Sequence, residues 1–186
     1  LDITKIEAKK TEINFTEFEV SQLIKDVITL IQPTLEENHL EIVCPADIGT
    51  LCADSTKIQQ ILQNILNNAI KFTQHGTITL TVSRTQEYFT FQIADTGIGI
   101  AAEQVEEIFK PFNQADNSTT RQYGGTGLGL TISQQLCHVL GGHIHVESEL
   151  GKGSIFTVQL PSVFNRPSGH LPPSIIQANI PAIIKD

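Results

Sequence analysis

The chain has 186 residues, 40% of them hydrophobic and 17% charged, an ordinary composition for one globular domain with a sizeable core and a short appendage. Its formal charge of −8 opposes a phosphate backbone and no basic stripe offsets that field, which argues against a nucleic-acid partner. No stretch approaches the roughly 20 consecutive apolar residues of a membrane span, and the first residues lack signal-peptide architecture, so neither membrane contact nor export is expected of this segment. The cysteines, Cys44, Cys52 and Cys137, form neither a CxxC pattern nor a disulfide framework and are expected to be reduced, buried thiols of a cytoplasmic protein, whose parent can still be membrane-anchored.

In chain order, residues 1–10 carry Leu1, Ile3 and Ile6 and are expected to be the last turns of a helix that begins upstream. A short alternating segment at Ile13 and Phe15 precedes a helix whose apolar positions, Val20, Leu23, Ile24, Val27, Ile28 and Ile31, recur with a 3.6-residue period. Pro33 is expected to kink it, because proline cannot donate to the carbonyl of Thr29. Strands are predicted at 39–44 and 50–53, and Asp54 or Ser55 is placed to cap a helix over about 56–72. That helix buries Ile58, Ile61, Leu62, Ile65, Leu66 and Ala69 on one face. Alternation then predicts two strands, one through Ile78, Leu80 and Val82, the other through Phe89, Phe91 and Ile93. Residues 113–127, rich in glycine and polar side chains, form a predicted mobile loop. A helix over 126–140 ends at Gly141 and Gly142, and strands near 143–148 and 154–160 complete an antiparallel or mixed sheet. Five prolines, 161, 167, 172, 173 and 181, fall beyond Leu160, as in a linker or tail.

Four features carry potential chemistry. Asn64, Asn68 and Lys71 are four and three residues apart, so they share one row at the rim of the apolar stripe, whereas Asn67 points about 100° away. An amide oxygen at Asn68 suits Mg²⁺ and Lys71 suits a phosphate; solvated polar residues are the alternative. Asp95 follows Phe91 and Ile93 on one strand face, so its carboxylate points inward and needs a partner. Either the exocyclic amine of a purine or an Asx-turn with Thr96 or Gly97 supplies it, and Gly97 and Gly99 leave room for close approach by a ligand. The run from Tyr123 through Leu130, Tyr-Gly-Gly-Thr-Gly-Leu-Gly-Leu, leads glycine-rich backbone into a helix start and aims free amides at a phosphate, unless the glycines serve flexibility alone. The turn Gly151-Lys-Gly-Ser154 has the form of an ordinary hairpin connection.

Taken in order, Asn64 with Asn68, Asp95-x-Gly-x-Gly99, Phe109-x-Pro-Phe112, Gly125-x-Gly-x-Gly129 and Gly151-x-Gly153 resemble the N, G1, F, G2 and G3 boxes of sensor histidine kinases. The resemblance covers about 11–161, taken as the catalytic domain, with 1–10 similar to the end of a dimerisation-domain helix and 162–186 a proline-rich linker or tail. It implies the Bergerat fold of the gyrase, heat-shock-90 and mismatch-repair ATPases, a two-layer α/β sandwich in which helices cover one face of a mixed, mostly antiparallel sheet. It further implies ATP and Mg²⁺ as ligands: adenine on Asp95, the metal on Asn68, and phosphates on Lys71 and the amides of Gly125, Thr126, Gly127, Leu128 and Gly129. Residues 108–125 would form a lid anchored by Phe109 and Phe112, with Arg121 reaching the γ-phosphate. Hydrolysing members of that superfamily carry a glutamate base at the place of Asn64, and an amide cannot accept a proton. The implied activity is therefore phosphoryl transfer to a histidine on a dimerisation domain and then to a response-regulator receiver domain. None of the six histidines here precedes an acidic residue as the family's acceptor does, so the acceptor is expected upstream. An ATP-binding module without turnover and an ATPase of the superfamily are the alternatives.

Overall fold

The computed structural model describes residues 12–35, 39–111 and 127–163. The predicted helix end at 1–10, most of the lid and the tail from residue 164 lie outside the described residues. The chain runs through strand β1 (Thr16–Glu19), helix α1 (Val20–Ile31), strands β2 (His39–Val43) and β3 (Thr50–Ala53), and helix α2 (Ser55–Phe72). Strands β4 (Thr77–Arg84) and β5 (Tyr88–Asp95), helix α3 (Gly129–Val139) and strands β6 (His143–Glu149) and β7 (Gly153–Pro161) follow. Short 3₁₀ turns occupy Ala102–Gln104 and Glu107–Phe109.

Five strands form one sheet in the order β2-β4-β5-β7-β6, while β1 and β3 make a separate antiparallel ribbon. Within the large sheet β2 runs parallel to β4 and every other pair is antiparallel, the mixed sheet that was expected. The parallel pair follows from the connection: a crossover through β3 and α2 returns the chain in the same direction. Period-2 alternation gives β4 the inner residues Ile78, Leu80 and Val82, and β5 the inner residues Phe89, Phe91 and Ile93, all essentially without exposure. Against this face α2 packs between α1 and α3 and buries the six residues that its periodicity predicts. Each such Ile or Leu contributes about 1.5–3 kcal/mol of transfer free energy. This layer fixes α2, and with it the row Asn64, Asn68 and Lys71, against the sheet.

The N-terminus of α2 is capped by Asp54, whose carboxylate accepts from the amides of Lys57 (3.1 Å) and Asn14 (3.0 Å) and pairs with the Lys57 ammonium. Lys57 Nζ also donates to the Glu12 carbonyl, so the entering chain is tied to the start of α2.

Several local expectations need correction. Pro33 does not kink α1: the α-helix stops at Ile31 and Pro33 opens a 3₁₀ turn over Gln32–Thr34, where its missing N–H costs nothing because the first turn has no acceptor for it. A strand that the alternating Ile13 and Phe15 did not mark lies at Thr16–Glu19, paired with Thr50–Ala53 of β3. Helix α3 begins at Gly129, later than predicted. Of the three thiols only Cys137 is buried; Cys44 is intermediate and Cys52 exposed, since Cys52 points outward between the buried Leu51 and Ala53 of β3.

Candidate nucleotide site

The described site residues lie on α2, which packs against both β5 and α3, and at the ends of those two elements. Asn64 and Asn68 are half-buried and Asn67 is exposed, as a 3.6-residue period requires. The Asn64 amide nitrogen donates to the Gly129 carbonyl (3.1 Å) and to Ser133 Oγ (3.2 Å), bolting α2 to the first turn of α3. Ser133 Oγ in turn donates to the same carbonyl (2.9 Å). Lys71, in the last turn of α2, is half-buried, with its ammonium 4.7 Å from the Phe72 ring centroid; burial lowers its pKa from the ordinary lysine value.

Asp95 ends β5 on the inner face and is 9% exposed. Its Oδ1 accepts from the Gly97 amide at 2.8 Å, so the Asx-turn offered by the sequence is present. Burial raises the carboxyl pKa, while bonds from the Gly97 and Ser154 amides and the Thr73 hydroxyl oppose that shift. A charge in this position still has acceptor capacity beyond one amide bond, so the Asx-turn and a donor on a ligand are compatible.

At Gly97 and Gly99 the direction a side chain would take is filled by the protein itself. A Cβ at Gly97 would collide with the Phe72 carbonyl, Asp95 and Thr73; one at Gly99 would collide with the Glu149 carbonyl. These glycines weld the end of β5 to the end of α2 and to the β6–β7 turn. Gly153, at φ +105, lies against the Asp95 carbonyl, so the turn that looked like an ordinary hairpin buttresses Asp95.

Gly127 adopts φ +68, Leu128 is the N-cap position of α3 and Gly129 its first residue. Phe109 packs on the core and its carbonyl accepts from the buried Thr131 hydroxyl at 2.9 Å, which ties the Glu107–Phe109 turn to the first turn of α3. Phe112, Arg121, Gly125 and Thr126 lie outside the described residues.

The sequence reading missed Thr73, Ser133, Thr131, Ser148 and Ser154. Ser154 closes the Gly151-Lys-Gly-Ser154 turn and Thr73 follows α2, yet only strand register and the end of α2 reveal that both face Asp95. Among the described residues, no group of three or more His, Cys, Asp or Glu side chains is placed to hold a metal ion, and no helix is long and apolar enough to cross a membrane.

An α/β sandwich with a buried carboxylate at a strand end, amides and a lysine on the adjoining helix, and a glycine-led helix start opposite defines an ATP-binding domain of the Bergerat type. The chain belongs to the histidine kinase-, DNA gyrase B- and HSP90-like ATPase family, whose profile matches residues 53–163. It is similar to the circadian input-output histidine kinase CikA of Synechococcus elongatus, 37% identical over 92% of this chain and 25% of the relative. Full-length ShkA, solved in complex with AMPPNP, is 32% identical with a TM-score of 0.76 over 85% of this chain and 33% of that one. The nucleotide-free catalytic domain of the histidine kinase ThkA is 29% identical with a TM-score of 0.69, over 80% of this chain and 96% of that one. The chain thus corresponds to the catalytic ATP-binding domain of sensor histidine kinases and spans about a quarter of the length of the curated relative it matches.

Proposed function

We propose that this chain, over residues 11–161, binds Mg²⁺-ATP and donates the γ-phosphoryl group to a histidine on a dimerisation domain, from which it passes to a response-regulator receiver domain. The setting proposed is cytoplasmic, within a longer sensor kinase. The observation that carries the donor reading is the Asn64 amide. Its nitrogen is held by the Gly129 carbonyl and Ser133 Oγ, in the place where hydrolysing members of the superfamily resemble one another in having a glutamate. An amide nitrogen has no basic lone pair, so nothing at that position takes a proton from an attacking water. What is left is positioning and charge stabilisation, on which phosphoryl transfer mainly depends.

In this reading Asp95 accepts from the adenine amine, Lys71 and the amides from Gly125 to Gly129 face the phosphates, and Arg121 reaches the γ-phosphate. Asn68 offers a neutral amide oxygen, a hard donor of the kind Mg²⁺ accepts, from a half-buried position in the same helical row as Lys71. When bound, Mg²⁺ neutralises charge on the phosphate oxygens. Phe109, tied to Thr131, anchors the lid on the side that faces α3, with Phe112 as its second anchor.

The test measures phosphate release from ATP by this chain beside transfer to a histidine-bearing dimerisation domain supplied in trans. Slow release with labelling of the added domain supports the proposal. Rapid release without labelling would place the chain among the ATPases.

A further inference from the structure

Three polar side chains form one row across the inner face of the sheet at the Asp95 end. Asp95 pairs with Ser154 in the β5–β7 register, and Ser154 with Ser148 in the β6–β7 register. Ser154 is 6% exposed, so its proton and that of its neighbour have defined destinations.

Ser148 Oγ makes three contacts: the Gly153 carbonyl oxygen at 2.9 Å, the Ile100 amide nitrogen at 2.8 Å and Ser154 Oγ at 3.0 Å. A carbonyl can only accept and an amide N–H can only donate, whereas a hydroxyl has one proton and two lone pairs. One assignment satisfies all three contacts. Ser148 gives its proton to Gly153, receives the Ile100 N–H on one lone pair, and receives the Ser154 proton on the other. Ser154 Oγ is then left with lone pairs alone, beside a carboxylate that also only accepts.

We infer that Ser148 is a positioning residue for base selection: it fixes the Ser154 hydroxyl as an acceptor, so that the Asp95 corner favours a purine with an amino group at C6 over one with a carbonyl there. The amino group brings two N–H donors to two acceptors. A 6-oxo oxygen brings lone pairs to lone pairs. This deepens the proposed nucleotide site and rests on it. It adds a residue outside every glycine-rich motif, on β6, that acts only through Ser154.

The experiment compares ATP and inosine triphosphate, whose bases differ at C6 and N1, by calorimetric titration of the full chain and its variants in Mg²⁺. Wild type should prefer ATP. Ser148→Ala releases the Ser154 proton to serve a 6-oxo oxygen, so the preference should fall about tenfold, the worth of one hydrogen bond. Most of the change should be a gain for the inosine nucleotide. Ser148→Thr, which keeps the hydroxyl, should restore the wild-type ratio, an outcome that a merely structural role for the side chain would not require. Ser154→Ala removes the acceptor itself and should lower the preference through weaker ATP binding, which keeps the inference testable if Ser148→Ala does not fold. Equal weakening of both nucleotides by Ser148→Ala, or an unchanged ratio, overturns the inference and leaves the nucleotide site standing. Failure of wild type to bind either triphosphate overturns both.

Discussion

Gly97→Ala tests how the site is built. A Cβ at 97 would lie 2.8 Å from both Asp95 Oδ1 and Thr73 Oγ1, and closer still to the Phe72 carbonyl oxygen. Close C···O contacts lie near ~3.3 Å, so the new methyl is about 0.5 Å too near two oxygens and worse at the third. The carbonyl belongs to the last residue of α2 and cannot rotate away, so the 97 backbone must move. That movement stretches the 2.8 Å bond from the Gly97 amide to Asp95. Overpacking costs about 1–3 kcal/mol, and weakening a bond to a charged acceptor adds about 1–2 kcal/mol. For a domain of this size, roughly 3 kcal/mol lowers Tm by about 10 °C. Thermal denaturation followed by circular dichroism reads the loss, and titration with a non-hydrolysable ATP analogue should show at least tenfold weaker binding as Asp95 is displaced. A variant that melts within about 2 °C of wild type and binds the analogue normally would refute this account of the glycine.

At Asp54, burial pushes the pKa up, but the Lys57 ammonium and the amides of Asn14 and Lys57 hold it below the ordinary 3.8. A folded pKa below the unfolded one gives stability that is present above about pH 4 and is lost as pH falls through the folded value. Asp54→Asn should therefore lower Tm at pH 7 and flatten the acid limb of a Tm–pH curve; an unchanged acid limb would remove Asp54 from the pair. Asp95 has the opposite sign. Its folded pKa is raised by burial, so this group's contribution falls as pH rises from about 4 through the folded value. Asp95→Asn should leave Tm at pH 7 equal or higher while weakening analogue binding by more than tenfold, and retained affinity would contradict its role. Burial pushes the Cys137 thiol up to about 12, so a maleimide at pH 7.5 should label exposed Cys52 first, Cys44 more slowly and Cys137 only in denaturant. Peptide mass spectrometry checks the order, and early modification of Cys137 would contradict its burial.

What was legible in the sequence is what local periodicity encodes. Helix α2 shows its buried stripe, a cap at Asp54 or Ser55 and the Asn64, Asn68 and Lys71 row because all three depend on spacing along a single helix. Strands β4 and β5 alternate cleanly because one face is core and the other solvated. Register and remote partners are not local, and there the reading failed or stayed silent. Nothing within residues 13–19 says that β3 will pair with Thr16–Glu19. Cys52 looks like a core residue until the pleat of β3 turns it outward. Ser148 and Ser154 are unremarkable serines until the β6–β7 register sets them 3.0 Å apart beside Asp95. Gly97 was read as leaving room for a ligand and Gly153 as part of a hairpin turn, but the requirement at both comes from backbone atoms of distant residues, which no spacing rule contains.

The most direct test of the central claim is calorimetric titration of the chain with a non-hydrolysable ATP analogue, with and without Mg²⁺, for wild type and Asn68→Ala. The account predicts that wild type binds in micromolar order and more tightly with Mg²⁺ (~−8 kcal/mol), and that Asn68→Ala still binds but loses most of the Mg²⁺ dependence. Wild type that does not bind the analogue, or a variant that keeps the full Mg²⁺ effect, would contradict it.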